Sequence, residues 1–440
     1  MKILIITFGS RGDVQPYVAL GKGLKAAGHV VTLCTASTFE TFVTNNGLNY
    51  GYMTDELIKL MDSEAGKDAL EDTVGLWGTA KTMFKLVKAT MPLNRQMIID
   101  SWEAAKVAAP ELVIYHPKAL GGLSIAEAFN APAILAVLQP MMLPTAEFPT
   151  IGVPALPLGG WYNKLTYKLI AMGYGQYTKT VNEIRQGLMG LDKLPKSTGV
   201  LTKGNGSPIP VMHGFSQHVI PRPKDWPDQA AITGYWFLDQ QNDWEPPAEL
   251  KAFLGAGEPP VYVGFGSMAG KKPQRLANIV VEALQKANVR GIIATGWGGL
   301  DTGDLPDSIF KIDKAPHDWL FPRMAAVVHH GGAGTTAAGL RAGRPSLICS
   351  FMGDQPFWGE RVYQLGVGPK FIPQKKLSVD KLADALHTLT TDAKMRTKAA
   401  EIGVQISGED GIANAIAIIN DVLQQTNLTR QKMTHKQIGF

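Results

Sequence analysis

The sequence has few cysteines and no long apolar run. Its 440 residues include only Cys34 and Cys349, too few for a disulfide framework or a cysteine-rich metal site. No apolar stretch is long enough to cross a bilayer, and Met1 leads directly into a strand-like run without a basic, cleavable leader. These absences predict a cytoplasmic chain in a reducing compartment, with both cysteines buried in apolar strands.

Excess charge is also scarce. The chain carries 43 Lys and Arg against 38 Asp and Glu, a formal charge of +5, and the basic residues are scattered. This weak basicity favours an anionic small molecule or an acidic membrane surface over nucleic acid. We therefore predict no nucleic-acid partner.

Several catalytic signatures are missing. The pair Asp301 and Asp304 has no further ligand at a suitable spacing, so no metal centre is predicted. No GxSxG turn occurs, the glycine turns lack the GxGxxG spacing, and no lysine follows the glycines of HHGGAGTT as in a P-loop. A serine hydrolase, a dinucleotide enzyme and a P-loop enzyme are thereby disfavoured, and no cofactor is predicted.

What is present is a repeated alternation of apolar strands and amphipathic helices. This alternation predicts an α/β protein with two doubly wound, Rossmann-like parallel-sheet domains facing across a cleft. The polar, proline-paired segment 241–259 predicts a linker around a short helix. The predicted parts are an N-terminal domain 1–240, the linker, a C-terminal domain 260–405, a helix 406–426 returning to the first domain, and a tail 427–440.

The turn GSRGDVQP places a carboxylate after the first strand. In open α/β sheets, ligands bind at the carboxyl ends of the strands. Asp13 therefore has two interpretations: an N-cap of the following helix, or a functional carboxylate. The turn alone favours the N-cap.

A glycine-rich turn, HHGGAGTT, follows the strand AAVV and precedes an alanine-rich helix. Such a turn exposes backbone N–H groups at a helix N-terminus and predicts an anion site, to which His330, Thr335 and Thr336 add donors. The alternative is a plain glycine turn with a hydrogen-bonded histidine. A second turn, VGFGSMAG, offers Ser267 as a further donor.

The segment FMGDQPFW places Asp354 and Gln355 after another strand. A carboxylate beside a carboxamide suits neighbouring sugar hydroxyls, because one only accepts hydrogen bonds and the other both donates and accepts. The alternative is that Asp354 is an N-cap. For Phe357 and Trp358 we expect packing.

In combination, HHGGAGTTAAGLRAGRPSLICSFMGDQPFW resembles the donor signature of GT-B nucleotide-sugar glycosyltransferases. GSRGDVQPYVALGKGLKAAGH is similar to the N-terminal motif of their sterol and antibiotic-aglycone branches, and APHDWLFPR and LGGWYNKLTYK look most like the sterol 3β-glucosyltransferase branch. The resemblance implies an inverting, metal-independent transfer of glucose from the co-substrate UDP-glucose to a sterol or steroid hydroxyl, with Asp13 as general base.

The same resemblance assigns the donor residues. Ser267, His330 and the backbone of Gly332, Ala333, Gly334 and Thr335 would hold the diphosphate, and Asp354 and Gln355 the sugar. Ala315 and His317 would border the base, with Trp297 or Trp319 packed nearby. Two positions depart from plant relatives: Ala338 replaces a ribose-binding glutamate, and Lys314 replaces a tryptophan.

Met and aromatic residues between 50 and 240 suit a large apolar acceptor. The candidates are Trp77, Phe84, Met141 and Phe148, and ordinary packing is the alternative. The lysine–aromatic stretch 73–102 is a candidate for reversible contact with an acidic membrane.

Two other functions remain open: a glycosyltransferase for a macrolide, flavonoid or carotenoid, and a non-catalytic binder of sugar nucleotides or lipids. A third, a nonhydrolysing epimerase, is disfavoured by the order of HHGGAGTT and DQPFW. Asp13 separates an enzyme from a binder, because a binder needs no ionised carboxylate at this position.

Overall fold

A computed structural model describes residues 1–63, 76–195, 198–240, 244–266, 273–295 and 305–438, without the side chains of 62, 76–89, 273 and 427–438. The chain divides into two compact units. Unit 1 comprises Met1–Gln217, Pro221–Leu238 and Asp410–Phe440, and unit 2 comprises His218–Ile220 and Asp239–Glu409.

Unit 1 is built on a seven-stranded parallel sheet of order β3-β2-β1-β4-β5-β6-β7. Its central strands are apolar and buried along most of their length, as expected for strands covered on both faces. The strands are β1 Lys2–Ile6, β2 Val30–Ala36, β3 Asn49–Met53, β4 Leu112–Tyr115, β5 Ala133–Val137, β6 Val211–His213 and β7 Ala230–Ile232.

Helices connect these strands. They are α1 Arg11–Ala26, α2 Glu40–Asn45, α3 Glu56–Asp62, α4 Leu76–Ala108, α5 Gly122–Ala128, α6 Gly160–Thr166, α7 Lys168–Gly175, α8 Thr178–Gly187 and, at the end of the chain, α16 Gly411–Ile438. Ala415 and Ile419 of α16 are buried in the core of unit 1 with Val18 and Leu24 of α1. The helix continues to Ile438, so the described residues of the predicted tail are helical.

Unit 2 contains a six-stranded parallel sheet of order β10-β9-β8-β11-β12-β13. The strands are β8 Val261–Gly264, β9 Gly291–Ala294, β10 Ile309–Ile312, β11 Ala326–His329, β12 Ser346–Ser350 and β13 Ile372–Pro373. The helices are α9 Ala248–Gly255, α10 Pro273–Lys286, α11 His317–Leu320, α12 Ala333–Arg341, α13 Gln355–Gln364, α14 Val379–Thr391 and α15 Ala393–Ser407. The expected two-sheet α/β architecture is thereby confirmed.

Both sheets reverse their strand order at one place. In unit 1 the chain runs outward from β1 through β2 and β3 and returns on the other side of β1 as β4. In unit 2 the same reversal separates β8 from β11. Loops diverge at such a switch point and leave a crevice at the carboxyl ends of the strands. Asp13 follows β1, and the glycine turn follows β11, so each motif lies at the switch point of its own unit.

Both cysteines are buried and unbridged, as predicted, and burial raises the pKa of each thiol to about 12. Within the described ranges, no helix combines the length and apolarity needed to cross a membrane.

An ion pair between a buried arginine and an exposed glutamate supports the irregular half of unit 1. The Arg185 guanidinium is 2% exposed and binds both carboxylate oxygens of Glu127, at 2.8 and 3.1 Å. It also donates to Ser124 Oγ and to the Asp192 carbonyl.

Replacing Glu127 with Gln is expected to lower the free energy of unfolding by about 1 to 2 kcal/mol. Buried Arg185 loses its counterion, but the Glu127 side chain is 43% exposed, so water already weakens the pair. Urea denaturation measures this value. Glu103→Gln removes an exposed partner of Lys106 and is expected to cost less than about 0.5 kcal/mol. Equal effects of the two substitutions would contradict a structural role for the pair of Arg185 and Glu127.

Candidate active site

The turn after β1 is shaped around the Asp13 carboxylate. Gly9 has φ +141°, and a Cβ at this position would overlap that carboxylate, so only glycine fits. Ser10 is the N-cap of α1, and Asp13 occupies the third helical position. Asp13 Oδ2 accepts hydrogen bonds from Ser10 N at 2.8 Å and Ser10 Oγ at 3.1 Å. The N-cap interpretation of Asp13 was therefore wrong in position: Asp13 closes the helix start from inside the first turn, which leaves its second oxygen for other partners.

That second oxygen faces two residues that follow β4. Asp13 Oδ1 lies 3.1 Å from Lys118 Nζ and 3.7 Å from His116 Nε2. The Asp13 side chain is 20% exposed, His116 is buried and Lys118 is 53% exposed. Parallel pairing of β1 with β4 brings these groups together, since Ile6 is paired with Tyr115 at the ends of the two strands.

His116 is held as a neutral imidazole. Its Nδ1 accepts from Lys118 N at 3.0 Å, which assigns the proton to Nε2, the nitrogen facing Asp13. Burial lowers the pKa of His116 to about 3, with Asp13 opposing and Lys118 reinforcing the shift. The ring packs edge-on against buried Tyr17, whose hydroxyl donates to the Ala136 carbonyl at 2.7 Å.

Opposing effects set the pKa of Asp13. Burial raises it, but the charge of Lys118, the interaction with His116 and the hydrogen bonds from Lys118 and Ser10 outweigh burial and hold the pKa below its usual value. Asp13 is therefore ionised at neutral pH. Chemically it is a proton acceptor with one oxygen anchored to the helix start and the other beside an exposed lysine and a buried imidazole.

In unit 2, the glycine turn connects β11 to α12. His329 is fully buried, and its Nδ1 accepts from Gly331 N at 3.0 Å, so this histidine shapes the turn. Gly331 has φ +96°, and a Cβ there would lie 2.6 Å from Ile348 Cγ2. Gly332 is the N-cap of α12, whose first N–H groups have no acceptor within the helix. The turn therefore presents backbone donors where the sequence predicted an anion site.

His330 lies over the start of α12. A Cβ on Gly332 would be 2.6 Å from His330 Nε2, and one on Gly266, after β8, would be 3.6 Å from His330 Cε1. Burial lowers the pKa of His330 to about 4, so the ring is neutral at pH 7. Its Nδ1 is buried without a partner among the described residues.

The two threonines of this turn differ in their exposure and hydrogen bonding. Thr335 is half-buried in the first turn of α12, and a Cβ on Gly334 would meet open space. Thr336 is buried, and its hydroxyl donates to the Gly332 carbonyl at 3.0 Å. The expectation that Thr336 offers a hydroxyl to an anion was therefore wrong, because the helix start uses this donor.

Asp354 and Gln355 lie at the start of α13, next to the glycine turn. A Cβ on Gly331 would be 3.1 Å from Gln355 Cβ. Gln355 is buried, and its Oε1 accepts from the backbone N–H groups of Phe351 and Met352, which leaves its amide as a donor. Asp354 is the N-cap of α13 and accepts from Trp358 Nε1 at 2.8 Å. Trp358 is fully buried, as expected for packing.

The predicted base-binding segment belongs to a packed aromatic cluster of unit 2. Ala315 and Trp319 pack against this cluster, with Trp319 between the edge of Trp244 and the guanidinium of Arg323. His317 stacks on Phe321 with ring centroids 4.3 Å apart. Trp319 is thus engaged in packing.

Four predicted residues cannot be placed as side chains. Ser267 and Trp297 lie outside the described residues, and Trp77 and Phe84 lie on α4 where the structure describes the backbone alone. Met141 and Phe148 are half-buried in the segment that follows β5, the strand next to β4. Among the described residues, no group of three or more His, Cys, Asp or Glu side chains could hold a metal ion.

Two family models and several curated relatives match this chain. Residues 3–146 match the family model "Glycosyltransferase family 28 N-terminal domain", and residues 284–411 match "Erythromycin biosynthesis protein CIII-like, C-terminal domain". The sterol 3-beta-glucosyltransferase UGT80A2 of Arabidopsis thaliana is 39% identical over 94% of this chain, and that of Emericella nidulans is 38% identical over all of it. The chain is a homologue of sterol 3-beta-glucosyltransferases.

Solved structures show that this sterol glucosyltransferase homologue has the GT-B fold. The kitacinnamycin glycotransferase superposes with a TM-score of 0.70 at 18% identity, covering 96% of this chain and 98% of that one. CalG4, the calicheamicin glycosyltransferase, superposes with a TM-score of 0.67 over the same shares at 18% identity. The homologue spans 64% of the Arabidopsis enzyme and 31% of the Emericella enzyme.

Sequence reasoning missed the partners of Asp13 in this homologue. His116 and Lys118 are 103 and 105 residues away along the chain, and only the order of the strands brings them to Asp13. A signal was available, because the polar residues of YHPK directly follow an apolar strand. The structure also shows that the two adjacent histidines have different roles: His329 supports the turn, and His330 lies over the helix start.

Proposed function

We propose that this chain transfers a hexose from a nucleotide diphosphate sugar to the hydroxyl of a sterol or steroid. Asp13 takes the hydroxyl proton as the acceptor oxygen bonds to the anomeric carbon, and the bond from that carbon to the diphosphate breaks. The anomeric centre is inverted, and a nucleoside diphosphate leaves. The observation that carries the proposal is the Asp13 carboxylate, ionised and held at the switch point of unit 1 with one oxygen anchored.

Unit 2 supplies the groups that suit the donor. The first N–H groups of α12 and the neutral His330 ring favour the charge that develops on the leaving diphosphate. Because these groups are neutral donors fixed by the fold, we propose that transfer needs no metal ion. The Gln355 amide and the Asp354 carboxylate are the groups proposed for the sugar hydroxyls, held in place by the Phe351 backbone and Trp358.

The finer assignments come from similarity. The relatives named sterol 3-beta-glucosyltransferase support glucose as the sugar and a sterol 3-hydroxyl as the acceptor. UDP-glucose is the donor that we propose on this basis.

The test is a mass-spectrometric screen of the purified chain, run in parallel without and with EDTA. UDP-glucose, UDP-galactose and dTDP-glucose are each paired with ergosterol, cholesterol, a flavonoid and a macrolide. A sterol with one added hexose, formed from UDP-glucose, is the expected product. Hexose on the flavonoid or macrolide alone would reject the sterol, and loss of product on adding EDTA would reject metal independence.

Lys118 is expected to set the acid limit of the reaction. Asp13 acts when deprotonated, so activity falls as the pH drops through its pKa. Lys118→Met removes the charge and hydrogen bond that lower this pKa, so the acid limb of kcat/KM should move to higher pH. Lys106→Met, which alters an exposed pair elsewhere on unit 1, should leave the limb in place. An unchanged limb in Lys118→Met would contradict the assignment of Asp13 as the base.

A further inference from the structure

Unit 1 carries an apolar stripe on the outer face of α6 and α7. Trp161, Leu165, Leu169 and Met172 follow one another at intervals of four, four and three residues, the spacing of one helix face. Tyr167, between the two helices, has helical backbone angles, so the face continues from α6 into α7. Leu156 and Leu158 in the preceding loop extend the exposed apolar surface.

Exposed large hydrophobic residues are concentrated in the stripe and in the loop before it. Six of the 14 large hydrophobic residues that are exposed in the described ranges lie within residues 156–172, with Trp161 65% and Met172 67% exposed. Single exposed apolar side chains are ordinary, but a contiguous group indicates an interaction surface.

The opposite face of the same helices is firmly attached to unit 1. Asn163 Nδ2 donates to the Ala146 carbonyl at 2.8 Å, and the buried Tyr167 donates to the Phe148 carbonyl at 3.4 Å. Tyr174 Oη donates to the Pro117 carbonyl at 2.6 Å, between the two residues that face Asp13. The stripe is therefore a fixed surface attached to the segment that contains His116 and Lys118.

The charged residues around the stripe indicate what kind of surface it binds. Residues 148–182 contain no Asp or Glu and three lysines. Lys164 is paired with Asp225 at 2.9 Å. Lys168 is exposed next to Leu169 in the chain, and Lys179 is exposed on α8, which follows α7 after two residues. An exposed apolar face flanked by lysines, with no acidic residue in the segment, matches an anionic lipid surface: apolar side chains enter the headgroup boundary and lysines meet the phosphates.

We infer that the apolar stripe seats unit 1 on an anionic lipid surface, with Trp161 and Met172 inserted and Lys168 and Lys179 facing the headgroups. The surface is distinct from the lysine–aromatic stretch 73–102. Only the purpose of this surface rests on the proposed function: a sterol acceptor resides in lipid, so lipid binding would bring the chain to it.

The test is co-sedimentation with phosphatidylcholine vesicles, with and without phosphatidylserine, at low salt. Wild type should pellet with the anionic vesicles. Trp161→Ser combined with Met172→Ser should weaken that binding by about tenfold or more, because the apolar area that these two side chains bury in the lipid is lost. The matched control combines Val107→Ser with Val404→Ser, which removes similarly exposed apolar residues elsewhere and should bind as wild type does.

Charge variants supply the second arm. Lys168→Glu combined with Lys179→Glu should abolish the preference for phosphatidylserine, whereas Lys193→Glu combined with Lys394→Glu should not. Circular dichroism checks the fold of every variant. Wild type that stays in the supernatant, or stripe variants that pellet normally, would overturn the inference. A concentration-dependent dimer that the Trp161 and Met172 substitutions dissolve would also overturn it, because a second copy would then cover the stripe.

Turnover of cyclodextrin-solubilised sterol separates this inference from the proposed function. The stripe variants should keep wild-type turnover there, and a large loss would overturn a purely membrane role for the stripe. Absence of any turnover with normal vesicle binding would contradict the proposed function and leave the lipid surface standing.

Discussion

Asp13→Asn is expected to lower kcat about 10²- to 10⁴-fold, the range typical of losing a general base. Asparagine has nearly the same shape, and its side-chain oxygen can still accept from Ser10, so the start of α1 should remain closed. The amide cannot take the acceptor proton. Steady-state kinetics with a sterol and UDP-glucose measures the loss.

The control for this substitution is Glu111→Gln. Glu111 also accepts from a backbone N–H, that of Lys2 at 2.7 Å, but lies at the amino end of β1. It should keep wild-type kcat. Asp13→Asn that remains folded with near-native turnover would remove Asp13 from the chemistry and leave it only its role at the helix start.

His330→Ala is expected to lower kcat/KM about 10²- to 10³-fold, the effect of removing one fixed donor from a developing negative charge. The ring lies over the first turn of α12 and is neutral, so it contributes a hydrogen bond rather than a charge. UDP affinity, measured by titration calorimetry, should fall in the same variant.

His387→Ala provides the comparison, because His387 is an exposed histidine on α14 of the same unit. It should bind UDP as wild type does. If His330→Ala kept both UDP affinity and kcat/KM, the glycine turn would be a structural connection rather than the donor site.

Much of this arrangement could be predicted from local sequence. A glycine turn between an apolar strand and a helix has one economical structure, and HHGGAGTT adopts it. The position of Asp13 after β1 was predictable for the same reason. Its exact role in the helix was not, because the helix begins at Arg11, three residues before the apolar periodicity starts at Val14.

Features that depend on strand order or on packing between distant segments could not be predicted. His116 reaches Asp13 only because β4 pairs with β1, and no local pattern encodes that pairing. Thr336 and Gln355 also look like ligands in the sequence. Whether their oxygens bind a substrate or the backbone depends on distances of a few tenths of an ångström. The apolar stripe of α6 and α7 reads as an ordinary amphipathic segment until the structure shows which face is covered.

The anomeric configuration of the product tests the central claim most directly. A hexosyl sterol made from UDP-glucose, whose glucose is α-linked, can be isolated, and the coupling of its anomeric proton measured by NMR. A single displacement with Asp13 as base predicts the large coupling of a β-glucoside. The small coupling of an α-glucoside would mean retention, and would contradict a mechanism in which Asp13 activates the acceptor for direct attack.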